Sequence, residues 1–143
     1  MDRVRCGTGR ADRRFRAAQL KQRGVRTIIV LIHQGGAQTS YAGPTDPAKA
    51  GVAGDIVDIV KQPDDEVDVG VSGHTHAFTN ALVKNNHGKD ILVTQAFAYG
   101  TAYADIDLEI SPNTGGVVAR SASIVTTYAD AGPGVTRRMR EIA

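Results

Sequence analysis

An α/β fold, part of a sandwich of mixed β-sheets with flanking helices, is predicted by three features of the sequence. Residues 25–32, VRTIIVLI, form a nearly continuous β-branched apolar run that follows a helix-forming stretch and Gly24. Residues 67–71, VDVGV, form a second short apolar run that leaves through Ser72-Gly73-His74-Thr75-His76. Beyond that exit the pattern changes to alternating segments separated by turn residues.

Each element has a local reason. Residues 1–10 show no apolar period and are expected to be disordered. Residues 11–23 are rich in good helix formers, with Phe15, Ala18 or Gln19, and Gln22 on one face bordered by Leu20, and Gly24 is a natural stop. The 25–32 run reads as a strand buried on both faces, and His33 follows it directly. Residues 34–49 form a polar loop with Gly35-Gly36, Gly43-Pro44 and Asp46-Pro47, longer than most loops inside a compact domain. A helix over residues 50–61 would present Val52, Ile56, Ile59 and Val60 on one face and end at Pro63. Asp64, Asp65 and Glu66 read as a solvated turn.

Four further strands are predicted at residues 77–84, 90–96, 101–110 and 116–127, with turns at Asn85-Asn86-His87-Gly88, Tyr99-Gly100 and residues 111–116. In the third, Ala102, Ala104, Ile106, Leu108 and Ile110 alternate with Tyr103, Asp105, Asp107 and Glu109, which predicts one buried and one wet face. The tail from Asp130 passes through Gly132-Pro133-Gly134 into a basic amphipathic stub.

Composition bounds the function classes. A chain of 143 residues suffices for one domain with a real core, and 41% hydrophobic with 22% charged residues is ordinary for a globular protein. The net charge of +2 is unevenly spread. Residues 1–26 carry nine Lys or Arg against Asp2 and Asp12, a balance of +7, and the remaining 8 basic and 13 acidic residues balance at −5. The basic lead has neither aromatic interleaving beyond Phe15 nor a nucleic-acid motif, so no nucleic-acid partner is expected. Cys6 is alone, which excludes an intrachain disulfide and a cysteine-based zinc site. No apolar run reaches transmembrane length, and no apolar segment follows the basic start as in a signal peptide.

The chemistry concentrates on histidine. His74 and His76 flank Thr75 at one strand exit, and His33 stands at another. Ligand sites in open α/β sheets collect outside the carboxyl ends of strands. Imidazole is a borderline ligand for Zn, Mn, Fe or Co. In extended backbone, residues i and i+2 project to the same side, so His74 and His76 can converge, with Thr75 pointing elsewhere. Each feature also has a plainer reading: an HxH pair arises by chance, and a lone His33 can be a hydrogen-bonded core residue. His87, in a turn, reads as exposed. Ser72 lacks a nucleophile elbow, and the paired glycines lack the lysine and spacing of a phosphate loop.

The ordered segments L-I-H-x-G at 31–35, V-D-V-x-V-S-G-H-T-H at 67–76, I-L-V-T-Q-A-x-x-Y-G at 91–100 and D-L-E-I at 107–110 resemble the calcineurin-like metallophosphoesterase domain. More narrowly, they resemble the later half of that domain in its 5′-nucleotidase branch. The resemblance runs from about residue 17 to about residue 129. It implies a partial metallophosphoesterase sandwich and a dinuclear centre of divalent ions such as Zn, Mn, Fe or Co. His33 and His74 would bind one ion and His76 the other. It also implies two-metal activation of water to hydrolyse phosphate monoesters, with nucleoside 5′-phosphates the expected substrates. Gln95, Ala96, Tyr99 and Gly100 would be supporting structure near the crevice, and no catalytic residue beyond the ligands is assigned.

The family's early motifs D-x-H and G-N-H-D or G-N-H-E do not occur in these residues. The sequence therefore reads as a non-homologous lead at 1–16, the C-terminal half of the domain at 17–129 and a truncated linker at 130–143. A fragment or frame-shifted product of impaired activity is expected, able to form a homodimer or to pair with a missing N-terminal half. The family is often secreted or at the cell surface. Two other readings stay open: a non-catalytic metal-binding or interaction module, and a mononuclear zinc hydrolase with three histidine ligands.

Overall fold

The computed structural model describes residues 17, 19–38, 44–45, 51–62 and 67–127. The expectations for residues 1–16, for the carboxylates at 64–66, for much of the 34–49 loop and for the tail from 130 lie outside the described residues. A four-stranded sheet has the order β1-β2-β4-β3, built from β1 (Ile29–Leu31), β2 (Val69–Val71), β3 (Phe78–Lys84) and β4 (Asp90–Ala96). β1, β2 and β4 run parallel, while β3 and β4 form an antiparallel hairpin. Its turn is held by the Asn85 side chain, which accepts from the backbone N–H of His87 and of Lys89 at 2.9 Å each. A second, two-stranded sheet pairs β5 (Ala102–Ile110) with β6 (Val117–Thr126).

β4 shows how the layers stack, because successive side chains of a strand point to opposite faces. Ile91 and Val93 face a core cluster that includes Ala17, Ile28, Ile56, Val60 and Val67, on the helical side. Leu92 faces the other way, into a cluster with Val69 and Ala122 joined by Leu82, Ile106 and Leu108. The four-stranded sheet thus lies between helical segments and the β5–β6 ribbon. The mixed α/β sandwich expected from the pattern is observed, and β5 alternates half-buried and exposed residues from Ala102 to Glu109, while Ile110, expected on the buried face, is 48% exposed at the strand's end.

Two elements differ from the sequence reading. β1 is not buried on both faces: Ile29 is 49% and Leu31 80% exposed, while Val30 and Ile32 pack toward the helical side. β1 stands at an end of the sheet, and the β5–β6 ribbon packs over β3 and β4, so that among the described residues nothing covers the outer face of β1. The second helix, α1 (Asp55–Val60), is shorter than the predicted 50–61. Ala53 is engaged in a bridge with Ala37, and Gly54 has φ 113°, a conformation outside any helix.

At the amino ends of the strands a buried polar node ties the layers together. Asp68, 3% exposed, accepts from Ile28 N at 3.0 Å and from Lys89 Nζ at 3.0 Å. Arg120, from β6, donates to the Asp90 carbonyl at 2.6 Å and lies 3.7 Å from the Asp68 carboxylate. The carboxyl ends, at the opposite edge, carry the histidines.

Candidate metal centre

β1 and β2 are parallel neighbours, so their exits are adjacent. His33 leaves β1 two residues after Leu31, and His74 leaves β2 three residues after Val71. Their rings meet edge to face with centroids 5.2 Å apart. The ring of His76 rests against Tyr99 at 5.4 Å, again edge to face. Extended-chain alternation, on which the expected convergence of His74 and His76 depends, does not operate. His74 has φ 77° and His76 φ 53°. Thr75 N donates to Gly73 O at 3.0 Å, closing a three-residue turn around His74. A γ-turn with positive φ is the rarer and more strained variety. Each such non-glycine residue costs about 1–3 kcal/mol and persists only where its surroundings over-determine it.

Those surroundings are visible. Thr75 hydrogen-bonds across the fold rather than locally: its hydroxyl donates to Gly36 O at 2.7 Å and accepts from Gln95 Nε2 at 2.7 Å. Gln95, 2% exposed at the end of β4, also donates to Ala77 O at 2.8 Å. One amide therefore brackets His76, bonding to the residue before it and the residue after it. Gly35 fits into the same junction, where a methyl group would collide with Gln95 Oε1, the Gly73 carbonyl and Thr75 Oγ1. Ser72 continues the sheet, its hydroxyl donating to Thr94 O at 3.0 Å, which agrees with its exclusion as a nucleophile. Gln34 donates to Asp55 and so orients the loop after His33 against α1. Sequence reasoning reaches Gln95 only as supporting structure, and nothing local in QAFAYG reveals its partners twenty residues away.

The chain folds like part of a known enzyme. A 5′-nucleotidase precursor from Thermus thermophilus superposes with a TM-score of 0.61 at 23% sequence identity, over 81% of this chain and 22% of that one. The fold is that of part of a 5′-nucleotidase. Among curated sequences, endonuclease YhcR of Bacillus subtilis is 36% identical over 109 residues, which is 76% of this chain and 8% of the relative. Cell wall protein Lmo0130 of Listeria monocytogenes is 31% identical over 115 residues, 77% of this chain and 14% of the relative. The chain thus spans a small fraction of the curated relatives it matches. No protein-family profile matches it.

The resemblance to the 5′-nucleotidase branch is thus borne out at the level of the fold. The donor set of this 5′-nucleotidase-like portion fits a metal only in part. His33 and His74 offer two imidazoles at one point, suited to a borderline divalent ion. Two adjacent divalent ions need carboxylates between them. Among the described residues, no group of three or more His, Cys, Asp or Glu gathers to hold a metal ion. No helix among them is long and apolar enough to cross a membrane.

Proposed function

We propose that this chain carries the later portion of a metal-dependent phosphoesterase site, with a nucleotide or other phosphomonoester as substrate. His33 and His74 hold one divalent cation, and His76 stands beside them toward a second. The observation that carries this reading is the 5.2 Å meeting of His33 and His74 at adjacent exits of parallel strands. The names of the relatives support it: an endonuclease and a 5′-nucleotidase both hydrolyse phosphoester bonds, a diester in the first case and a monoester in the second. When bound, divalent cations supply electrophilic stabilisation to phosphoryl oxygens and acidify water.

The chain's own residues prepare the position. Gln95 and Thr75 fix the turn that aims His74 toward His33, and Gly35 admits the close approach of the β1 and β2 exits. The described residues provide no carboxylate bridge, so turnover by these residues alone is expected to be weak.

Zinc titration of the intact chain by calorimetry tests the reading. One zinc ion should bind, and His33→Ala or His74→Ala should each weaken binding by more than about tenfold. Failure of the wild-type chain to bind zinc, manganese or cobalt would sink it. One bound zinc without hydrolysis of AMP or 4-nitrophenyl phosphate would favour a non-catalytic metal-binding module. One zinc with hydrolysis abolished by His74→Ala would favour a mononuclear hydrolase.

A further inference from the structure

The loop that leaves β1 is fastened to the start of α1 at successive points. The Gln34 side-chain amide donates to the Asp55 carboxylate, Ile56 N donates to Gly35 O at 3.2 Å, and Ala37 and Ala53 exchange two backbone hydrogen bonds of 2.9 Å. The approach leaves no room for side chains. A methyl group on Gly36 would meet Ala53 O at 2.3 Å, and one on Gly54 would meet Gly36 Cα at 2.8 Å. α1 is itself anchored in the core by Ile56 and Val60, 0% and 2% exposed. Its start is a fixed body against which the β1 exit is set.

Gln34 stands where the two histidine exits join. It follows His33 in the chain, and its carbonyl accepts from Gly73 N, the residue before His74, at 3.5 Å. That backbone bond is longer than an ordinary one and gives the junction little stiffness. The side-chain bond is of the stronger kind, because its acceptor is a carboxylate. Asp55 is exposed, and that bond to Gln34 is its link to the exits.

We propose that Asp55, acting through Gln34, is a positioning residue for the metal pair, setting the 5.2 Å separation and 68° inclination of the His33 and His74 rings. The proposal rests on the metal reading above and adds the outer contact that aims its two ligands. Neither Asp55 nor Gln34 touches the cation in this scheme. Loss of such an outer contact typically costs about 10–100-fold in metal affinity.

The test is zinc binding by the intact chain, measured by calorimetry. Asp55→Ala should weaken binding by about tenfold. Asp55→Asn, which keeps an oxygen acceptor for Gln34, should recover most of that loss. Asp58→Ala, a change of an 80% exposed carboxylate on the same helix, should leave the affinity unchanged. Urea midpoints should stay near that of the wild-type chain, since these positions are exposed. A merely structural role would lower midpoint and affinity together. A second measurement needs no metal. Proton resonances of the His33 and His74 imidazoles report their mutual ring contact, so Asp55→Ala should move both and leave those of the exposed His87 in place. An unchanged zinc affinity in Asp55→Ala, or an Asp55→Asn variant as weak as Asp55→Ala, would overturn the positioning role. The two readings fail separately. A wild-type chain that binds no metal removes the phosphoester reading. Moved His33 and His74 resonances then keep the positioning role, and unmoved ones overturn it.

Discussion

Gln95 Nε2 donates a 2.7 Å hydrogen bond to Thr75 Oγ1, the residue that separates the two histidines of the β2 exit. Through it the end of β4 holds the β2 exit, and the Thr75 hydroxyl passes the constraint on to Gly36 beyond the β1 exit. Thr75→Val keeps the shape and removes both bonds. Leaving buried polar groups without partners costs about 1–3 kcal/mol. Urea denaturation should show that loss, and zinc affinity should fall with it because the turn around His74 is released. Thr75→Ser should recover most of both. Unchanged stability together with unchanged zinc affinity in the valine variant would show that the bond does not position His74.

Gly35 tests the same junction by crowding rather than by deletion. A methyl group there meets Thr75 Oγ1 at 2.7 Å and collides with Oε1 of the buried Gln95 and with the Gly73 backbone carbonyl, neither of which can swing freely away. Overpacking of this kind costs about 1–3 kcal/mol. Gly35→Ala should therefore lower the thermal midpoint, whereas Gly51→Ala, where nothing lies within 4 Å of an added methyl, should leave it almost unchanged. Similar midpoints for the two variants would contradict the close approach.

The open face of β1 predicts association. Ile29 and Leu31 are exposed on an end strand that pairs, among the described residues, with β2 alone. Exposed apolar edge strands template pairing with another chain. Leu31→Thr should cost less than about 0.5 kcal/mol of stability, the usual range for an exposed position. It should shift sedimentation toward the monomer at high concentration. An oligomeric state insensitive to Leu31→Thr would place any self-association elsewhere.

Much of this is legible in the sequence, for identifiable reasons. The β3–β4 hairpin and β5 follow from alternation and from the Asn85–Gly88 turn, which are local signals. The burial of β1 is not legible, because an apolar run looks the same whether both faces are covered or one lies open; only the position of the β5–β6 ribbon decides it. The helix start escapes as well, because apolar spacing does not register the positive φ of Gly54. His33 and His74 come together as the pattern implies, since adjacent parallel exits bring them there. His76 goes to Tyr99 because left-handed residues replace the extended segment, and no residue-level preference marks histidine for that conformation. The role of Gln95 is tertiary throughout.

Asp68 supplies the complementary test, at the end of the strands away from the histidines. An aspartate between valines in a buried strand signals a satisfied charge, and the structure shows the partners: Ile28 N, Lys89 and Arg120. Removing one member of a buried charge network typically costs about 3–5 kcal/mol, because the remaining charges lose compensation. Asp68→Ala should approach that loss. Asp68→Asn, which retains an acceptor for Ile28 N, should lose less. Because the node ties β1, β2, β4 and β6 rather than the exit loops, folded Asp68→Asn should bind zinc like the wild-type chain. A variant that kept full stability would show the network to be dispensable, and one that stayed folded but lost zinc would show that the two ends of the sheet are coupled.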